Sequence, residues 1–354
     1  MQAAASAARS ERAQRLAGAP TAAAAAPTLA PPRPSAASEA TAWWLGALAD
    51  WDAFLPAHRE EVGRRVRVGI PEPLRGAVWQ MLTKSRELAR KAGPGEFAQL
   101  VAQPSECDGA IVNDITRVFP THPFFRQLNG VGQRSLYAVL KAYSNKDTST
   151  GYCQGMGFVA GLCLLHMPDE PAFWLLARLL QKYNLGTLFA PNLAGLRLAL
   201  YQLDRLLEAR MPTLFAHLQE EQLETSIFAT KWFQTLFIYS LPMRYAQRIF
   251  DVFLLEGPLV LFSVALAILE LGVEHDGLLD KKFEQMMEYL NGVPSILCPS
   301  EGGGGGGGRA RIEPEDLLER AGCITPKLDY SELQGYERAF VRTEEPVAGV
   351  FSIW

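Results

Sequence analysis

The apolar side chains between residues 43 and 290 recur at the three- and four-residue spacing of α-helices. Prolines separate the successive runs at distances typical of neighbouring helices. No sustained period-two alternation occurs, and no Asn-Gly turn lies between alternating runs. The pattern therefore predicts an all-α fold. Four runs carry the spacing most clearly: Leu74, Val78, Met81 and Leu82; Leu136, Val139, Leu140 and Tyr143; Phe173, Leu176 and Leu180; and Leu196, Leu200, Leu203 and Leu207.

Both ends of the chain differ from this central region. Residues 1–40 are rich in Ala and Pro and contain almost no large apolar side chains, so burial cannot offset the entropy of ordering them. We expect a flexible tail there. Its arginine bias is also typical of transit peptides, which leaves organellar targeting open. Residues 41–300 are predicted to form one multi-helix domain. Residues 301–354 begin with a Gly-rich loop and continue as an extension that we expect to pack on the domain.

Composition narrows the classes of function. The chain has 354 residues, 48% of them hydrophobic, which is enough for one large core. A net charge of −4 gives no basic field for nucleic acid or anionic membrane. Five scattered cysteines show no metal-binding spacing and favour a reducing compartment. No apolar run reaches the length of a membrane span, because polar residues and prolines interrupt the longest ones. These runs are predicted to be buried core helices.

Two short motifs carry side chains suited to nucleotide hydrolysis. Arg117 follows Asp114 by three residues, so the two side chains can meet on a helix. This spacing fits either an ordinary surface ion pair or an arginine that a carboxylate aims at a phosphoryl group. Gln154 lies in a Gly-rich segment between Gly151 and Gly155. Its amide could cap the next helix, or it could both donate and accept hydrogen bonds around an attacking water.

These motifs resemble those of the TBC domain, the family of GTPase-activating proteins for Rab small GTPases. The Ile-x-x-Asp-x-x-Arg signature is followed by Phe-Pro, and the Tyr-x-Gln signature lies in its Gly-rich context. Two further blocks resemble the family's entry helix and its later half, and all four stand in the family's order. The matching residues are Ile111, Asp114, Arg117, Phe119 and Pro120; Tyr152, Gln154 and Gly155; Gly69, Ile70, Pro71, Leu74, Arg75, Gly76 and Trp79; and Trp232, Phe233, Leu236, Phe237, Leu241, Pro242, Arg248, Ile249, Phe250, Asp251, Glu256 and Gly257.

The resemblance implies a single helical domain that activates a Rab GTPase by two fingers supplied in trans. Arg117 would be the arginine finger and Gln154 the glutamine finger, with Asp114 and Tyr152 in supporting roles. GTP and Mg²⁺ would be carried by the GTP-bound partner, and the chain would need no cofactor of its own. The resemblance also implies action in vesicle trafficking, in the cytoplasm or at endomembrane surfaces that the protein reaches through its partner. The alternative is a Rab-binding scaffold without catalytic effect.

Several other residues have less specific interpretations. The spacing of Gly155, Gly157 and Gly161 approaches a dinucleotide fingerprint, but no strand precedes it, and close helix packing explains the glycines better. Arg75 recurs in the family's entry motif; a buried ion pair is the first interpretation, and contact with the partner the second. His122 is interpreted as a loop residue rather than a base. The loop before Gly151 lacks the Asn-Pro common in the family, although Asn145 and Asp147 can form a turn.

Overall fold

The computed structural model describes residues 36–190, 192–292, 297 and 312–343. Within these ranges it contains 19 α-helices, three short 3₁₀ helices and no strand, so the all-α prediction is confirmed. Of the predicted tail at residues 1–40, residues 1–35 lie outside the described residues, whereas residues 36–40 belong to the first helix, Ala36–Ala49. The glycine run at 302–308 and residues 344–354 also lie outside the described residues. The chain divides into two units, Met1–Glu39 and Ala40–Trp354, and apart from the start of the first helix the elements below belong to the second.

The first half of the chain forms ten helices, and both motifs lie within this half. Buried positions recur every three to four residues in these segments, so that each forms one apolar face of a helix. A 3₁₀ turn, Glu72–Leu74, leads into the fourth of them. They are α1 (Ala36–Ala49), α2 (Trp51–Ala57), α3 (Arg59–Val68), α4 (Arg75–Thr83), α5 (Ser85–Ala92), α6 (Glu96–Ala102), α7 (Asp108–Ile115), α8 (Val131–Lys146), α9 (Met156–Leu164) and α10 (Asp169–Lys182).

The second half forms nine helices and two further 3₁₀ turns, Leu278–Asp280 and Thr325–Lys327. The later helices pack back on the earlier ones, since α15 contacts α3 and α4. The helices are α11 (Gly186–Phe189), α12 (Ala194–Arg210), α13 (Pro212–Glu220), α14 (Thr225–Gln234), α15 (Met243–Glu256), α16 (Leu259–His275), α17 (Phe283–Asn291), α18 (Pro314–Ile324) and α19 (Tyr330–Thr343).

The two longest apolar runs form buried helices, as predicted. All positions of α16 from Leu259 to Leu269 are buried, and α16 packs against α15 and α18. Helix α9 is buried along almost its whole length and packs against α8 and α10. Among the described residues, no helix is both long and apolar enough to cross a bilayer. This packing holds the start of α9 in place, and the segment just before it carries Gln154.

Candidate functional site

A groove of about 1220 Å³ contains both motifs. Three segments of chain form most of its walls: the turn after α7, the loop before α9, and α14 with the turn that follows it. Four of the five predicted site residues, Asp114, Arg117, Tyr152 and Gln154, line it, so the tertiary fold brings the two motifs together. The other lining residues are Val118, Phe119, Pro120, Thr121, His122, Pro123, Cys153, Gly155, Gly157, Phe158, Leu193, Thr230, Lys231, Gln234, Thr235, Ile238, Tyr239, Leu241 and Met243.

Arg117 lies just past the helix on which its motif begins. Helix α7 ends at Ile115, and the Arg117 backbone N–H donates to the Asp114 carbonyl at 2.9 Å. The Arg117 side chain is 63% exposed, and its Nη1 lies 3.7 Å from Asp114 Oδ1. This contact is a loose ion pair rather than a hydrogen bond. The guanidinium therefore keeps most of its donors free for another molecule.

Asp114 connects the two motifs. Its second oxygen, Oδ2, accepts a hydrogen bond from the Tyr152 hydroxyl at 2.8 Å. Burial raises the pKa of Tyr152, and the hydrogen bond to Asp114 raises it further, so the phenol stays protonated and donates. The carboxylate is thus held by a residue that lies two positions before Gln154. Burial and the charge of Asp114 also raise the pKa of the Cys153 thiol.

Gln154 is exposed in the groove. Helix α9 begins at Met156 with Gly155 as its N-cap residue and no side-chain cap, so the interpretation of Gln154 as a helix cap is wrong. Its amide makes no hydrogen bond with any described part of the chain. Gly151 (φ 61°) and Gly155 (φ 107°) both occupy the left-handed region, which lets the backbone turn on either side of Gln154.

Asp147 shapes the loop that lacks the family's Asn-Pro. Its carboxylate accepts hydrogen bonds from the Ser149 hydroxyl (2.5 Å), the Thr150 hydroxyl (2.8 Å) and the Tyr143 hydroxyl (3.1 Å). Burial alone would raise the pKa of Asp147, but these hydrogen bonds outweigh it and lower the pKa. Asn145 belongs to α8 instead of the turn, and its amide donates to the Leu100 carbonyl at 2.8 Å.

Two glycines of α9 allow close packing, as the sequence predicts, but the segment that packs on them is the turn after Arg117 rather than another helix. A Cβ at position 157 would lie 3.0 Å from Val118 Cγ2, and one at position 161 would lie 2.8 Å from Val118 Cγ1. The Phe119 ring also lies against position 161. Phe119 itself has φ 47°, which turns the chain sharply after Arg117. The absence of side chains at 157 and 161 therefore sets how near Arg117 comes to α9.

Comparison with known proteins agrees with this architecture. Residues 72–275, more than half of the chain, match the Rab-GTPase-TBC domain family. The chain belongs to this family. The matched range contains all three walls of the groove, so the TBC domain carries the whole site.

Relatives extend well beyond the region that the chain shares with them. The human Ecotropic viral integration site 5 protein homolog is 35% identical over 260 residues, which are 72% of this chain and 32% of the relative. The Rab GTPase-activating protein tbc-11 of Caenorhabditis elegans is 33% identical over 304 residues, covering 85% of this chain and 31% of the relative. The chain thus spans about a third of the length of these relatives.

Solved structures show the same fold. The crystal structure of the Chlamydomonas flagellar RabGAP TBC domain aligns with a TM-score of 0.64 at 26% identity, covering 80% of this chain and 91% of that one. The Ypt/Rab-GAP domain of Gyp1p aligns with a TM-score of 0.63 at 18% identity, covering 83% and 99%. This second likeness concerns the fold alone.

Arg75 is the predicted site residue that does not line the groove of the TBC domain. It is buried, and its Nε donates to Asp251 Oδ1 at 3.2 Å while its Nη2 donates to the Ile70 carbonyl at 3.1 Å. Asp251 also accepts from Trp79 Nε1 at 2.7 Å and from Arg248 Nη1 at 3.2 Å. Arg75 therefore forms a buried ion pair with Asp251, which was the first of the two interpretations drawn from the sequence. The pair joins α4 to α15.

His122 and the third wall complete the groove. His122 Nδ1 accepts a hydrogen bond from the Phe124 backbone N–H at 3.2 Å, which fits the interpretation as a loop residue. Sequence reasoning did not select Lys231, Gln234 or Tyr239 as site residues. The available signal was the helical stripe of polar positions on α14 beside the buried Trp232 and its neighbours. Within the described ranges no cluster of His, Cys, Asp or Glu has a metal-binding arrangement.

Proposed function

We propose that this protein is a GTPase-activating protein for Rab small GTPases, which supplies Arg117 and Gln154 in trans. The observation that carries the proposal is that both side chains stand in one groove of a TBC domain, without a strong partner among the described residues. The reaction is the hydrolysis of GTP by water to GDP and phosphate, within the active site of the GTPase. The protein thereby acts in the regulation of vesicle trafficking.

Arg117 neutralises the negative charge that spreads over the γ-phosphoryl oxygens in the transition state. A planar guanidinium suits this role because several N–H donors lie in one plane and its charge is permanent. The 3.7 Å contact with Asp114 orients the side chain in the free protein but is weak enough to yield to a phosphoryl group. A finger supplied in trans is worth on the order of 10³–10⁵ in rate.

Gln154 orients the attacking water, since an amide can accept a hydrogen bond from the water and donate one to a phosphoryl oxygen. Asp114 aims Arg117, and Tyr152 holds Asp114 in place. Through Tyr152 the loop that carries Gln154 is tied to the helix end that carries Arg117. We infer that the two fingers are positioned relative to each other before the partner binds, which reduces the ordering cost of the complex. Arg75 supports the site only through the fold.

GTP and Mg²⁺ enter with the GTP-bound partner in this proposal. The isolated protein is expected to bind neither, and its association with endomembranes is expected to be peripheral and to depend on the partner. Calorimetry of the full chain with GTP and Mg²⁺ tests this expectation. Micromolar affinity for GTP without a GTPase would contradict the trans-finger mechanism.

A hydrolysis screen tests the proposed function as a whole. The purified 354-residue protein is added in catalytic amounts to a panel of GTP-loaded Rab GTPases, and phosphate release is followed with time. Acceleration of at least one Rab by on the order of 10³-fold or more is expected. A Rab that binds the protein but hydrolyses GTP at its intrinsic rate would identify a scaffold instead.

A further inference from the structure

One face of α14 is left open beside the fingers. Ile227, Thr230, Lys231 and Gln234 share that face at helical spacing, and all four are exposed or half-buried. The opposite face, which includes Trp232, is buried in the core. The open face touches the loop before α9, which carries Gln154, because a Cβ at Gly155 would lie 3.5 Å from Gln234 Cβ. The α14 face therefore continues the groove directly from Gln154.

Lys231 is a half-buried cation in the middle of this face. Its Nζ donates to the Asn291 carbonyl at the end of α17, at 2.5 Å. No carboxylate of the described residues lies within ion-pairing distance of it. Lys146, by contrast, pairs with Glu96 at 2.7 Å in a comparably buried setting. Burial lowers the pKa of Lys231, so its charge is held at a cost that no counter-ion from the described part of the chain offsets.

Tyr239 stands next to this ammonium group. Tyr239 is 57% exposed, although its ring packs edge-on against Phe158 with 5.1 Å between centroids. Lys231 Nζ lies 5.8 Å from the Tyr239 ring centroid. A tyrosine fixed on one edge and open on the other offers apolar area at little entropic cost, a property that favours such residues in protein interfaces.

The charge of the groove indicates what this pair fits. The lining residues include two cationic side chains, Arg117 and Lys231, and one carboxylate, Asp114, which accepts a hydrogen bond from Tyr152. The groove is thus positive in a chain whose net charge is −4. In the proposed mechanism Arg117 contacts the nucleotide. Lys231 then faces the surface of the GTPase that surrounds the nucleotide.

We propose that Lys231 and Tyr239 form a recognition site for the GTPase partner, taking up one acidic side chain that lies next to an apolar side chain. This inference rests on the proposed function. The carboxylate displaces water from Lys231 and supplies the missing counter-ion, and the apolar neighbour packs on the exposed edge of Tyr239. Electrostatic complementarity of this kind selects among partners, because a GTPase with a basic residue at that point would be repelled.

Direct binding tests the site separately from catalysis. The wild-type chain and its Lys231→Met variant are titrated against a panel of Rab GTPases loaded with a non-hydrolysable GTP analogue. Kd is measured by biolayer interferometry at two salt concentrations. The Kd of the best partner is expected to rise about tenfold in Lys231→Met, and its salt dependence to weaken. Lys231→Arg, which keeps the charge, should stay within about threefold. Lys91→Met, on the exposed side of α5, is the matched control.

A second pair of variants identifies the contact. Surface carboxylates of the best-binding Rab are replaced one at a time by Lys, and one of them should restore binding to Lys231→Glu.

Unchanged Kd in Lys231→Met for every Rab bound by wild type would overturn the inference. Lys231 would then only cap the end of α17, and its replacement would lower Tm. If Lys231→Met does not fold, Tyr239→Ser and the salt dependence of wild type carry the test. A failure of the finger mechanism would give a different result, because the Rab would still bind the protein but its GTP hydrolysis would not be accelerated.

Discussion

The Tyr152 hydroxyl donates to Asp114 Oδ2 at 2.8 Å, while the other oxygen of that carboxylate faces the guanidinium of Arg117 at 3.7 Å. One carboxylate therefore connects the two motifs, which come from different elements of the TBC domain. The hydroxyl bond is the shorter of the two, so Tyr152 fixes Asp114 and Asp114 only guides Arg117. This order suits the proposed role of Arg117, in which the side chain leaves its resting contact when a partner binds.

Tyr152→Phe should loosen this arrangement with little effect on the core. Loss of one hydrogen bond to a carboxylate is expected to lower the free energy of unfolding by about 1 kcal/mol. Stimulated hydrolysis should fall about tenfold because Asp114 no longer holds Arg117 in a productive direction. Single-turnover phosphate release and urea unfolding measure the two effects. Tyr336→Phe, which removes the 2.9 Å bond to Glu332, is the control and should lower stability alone.

Arg117→Lys should abolish most stimulation because an ammonium cannot reproduce the planar set of donors. Turnover is expected to fall by roughly 10²-fold or more, with Tm nearly unchanged since the side chain is exposed. Arg126→Lys, at an exposed position outside the groove, should leave turnover as in wild type. Normal turnover of Arg117→Lys would refute the finger, and a collapsed Tm would make Arg117 a structural residue.

Gln154→Ala should reduce stimulated hydrolysis heavily, by on the order of 10²-fold, even when the GTPase keeps its own switch glutamine. The reason is that the amide of Gln154 orients the water in the proposed mechanism. Phosphate release measures the effect, with Gln219→Ala on the exposed side of α13 as control. The assignment would be reversed if stimulation survived Gln154→Ala but vanished when the switch glutamine of the GTPase was replaced.

Gly161→Ala should displace the segment that carries Arg117. The new Cβ would lie 2.8 Å from Val118 Cγ1 and 3.0 Å from Phe119 Cε2, so that side chains must shift. We expect a net loss of about 1–2 kcal/mol in unfolding free energy, together with slower stimulated hydrolysis. Gly109→Ala, where nothing lies within 4 Å of the added Cβ, should be neutral or stabilising. Equal stability of the two variants in urea would contradict the packing argument.

His166 predicts a pH dependence of stability. Burial lowers its pKa from 6.5 to about 4, despite Glu72 Oε1 at 3.6 Å from Nδ1. Between pH 6.5 and 4 the unfolded chain therefore binds a proton that the native protein does not. Stability is lost as pH falls through this window, by at most about 1.4 kcal/mol for each pH unit. Urea unfolding at pH 6.5, 5.5 and 4.5 should show a shallower decline for His166→Gln, and parallel curves would contradict the prediction.

Local chemistry made the helices and the two motifs predictable from the sequence alone. Apolar spacing marks a buried helix face wherever it occurs, so the runs around Leu140 and Leu203 indicate α8 and α12 without knowledge of their neighbours. Glycines and polar side chains likewise mark turns, because backbone geometry at Gly151 and Gly155 depends on the residue itself. The motif residues Arg117 and Gln154 could be selected because their chemistry is a property of the side chain.

The relations between distant residues were decided by the tertiary structure. Asp114 and Tyr152 are 38 positions apart, and Arg75 and Asp251 are 176 apart. No local pattern predicts which residues meet over such separations, because that depends on how helices pack and on which glycines let them approach. Lys231 could not be selected from the sequence either, because a lysine can occur on the exposed face of any helix. Only the placement of α14 against the loop that carries Gln154 makes the charge of Lys231 part of the groove.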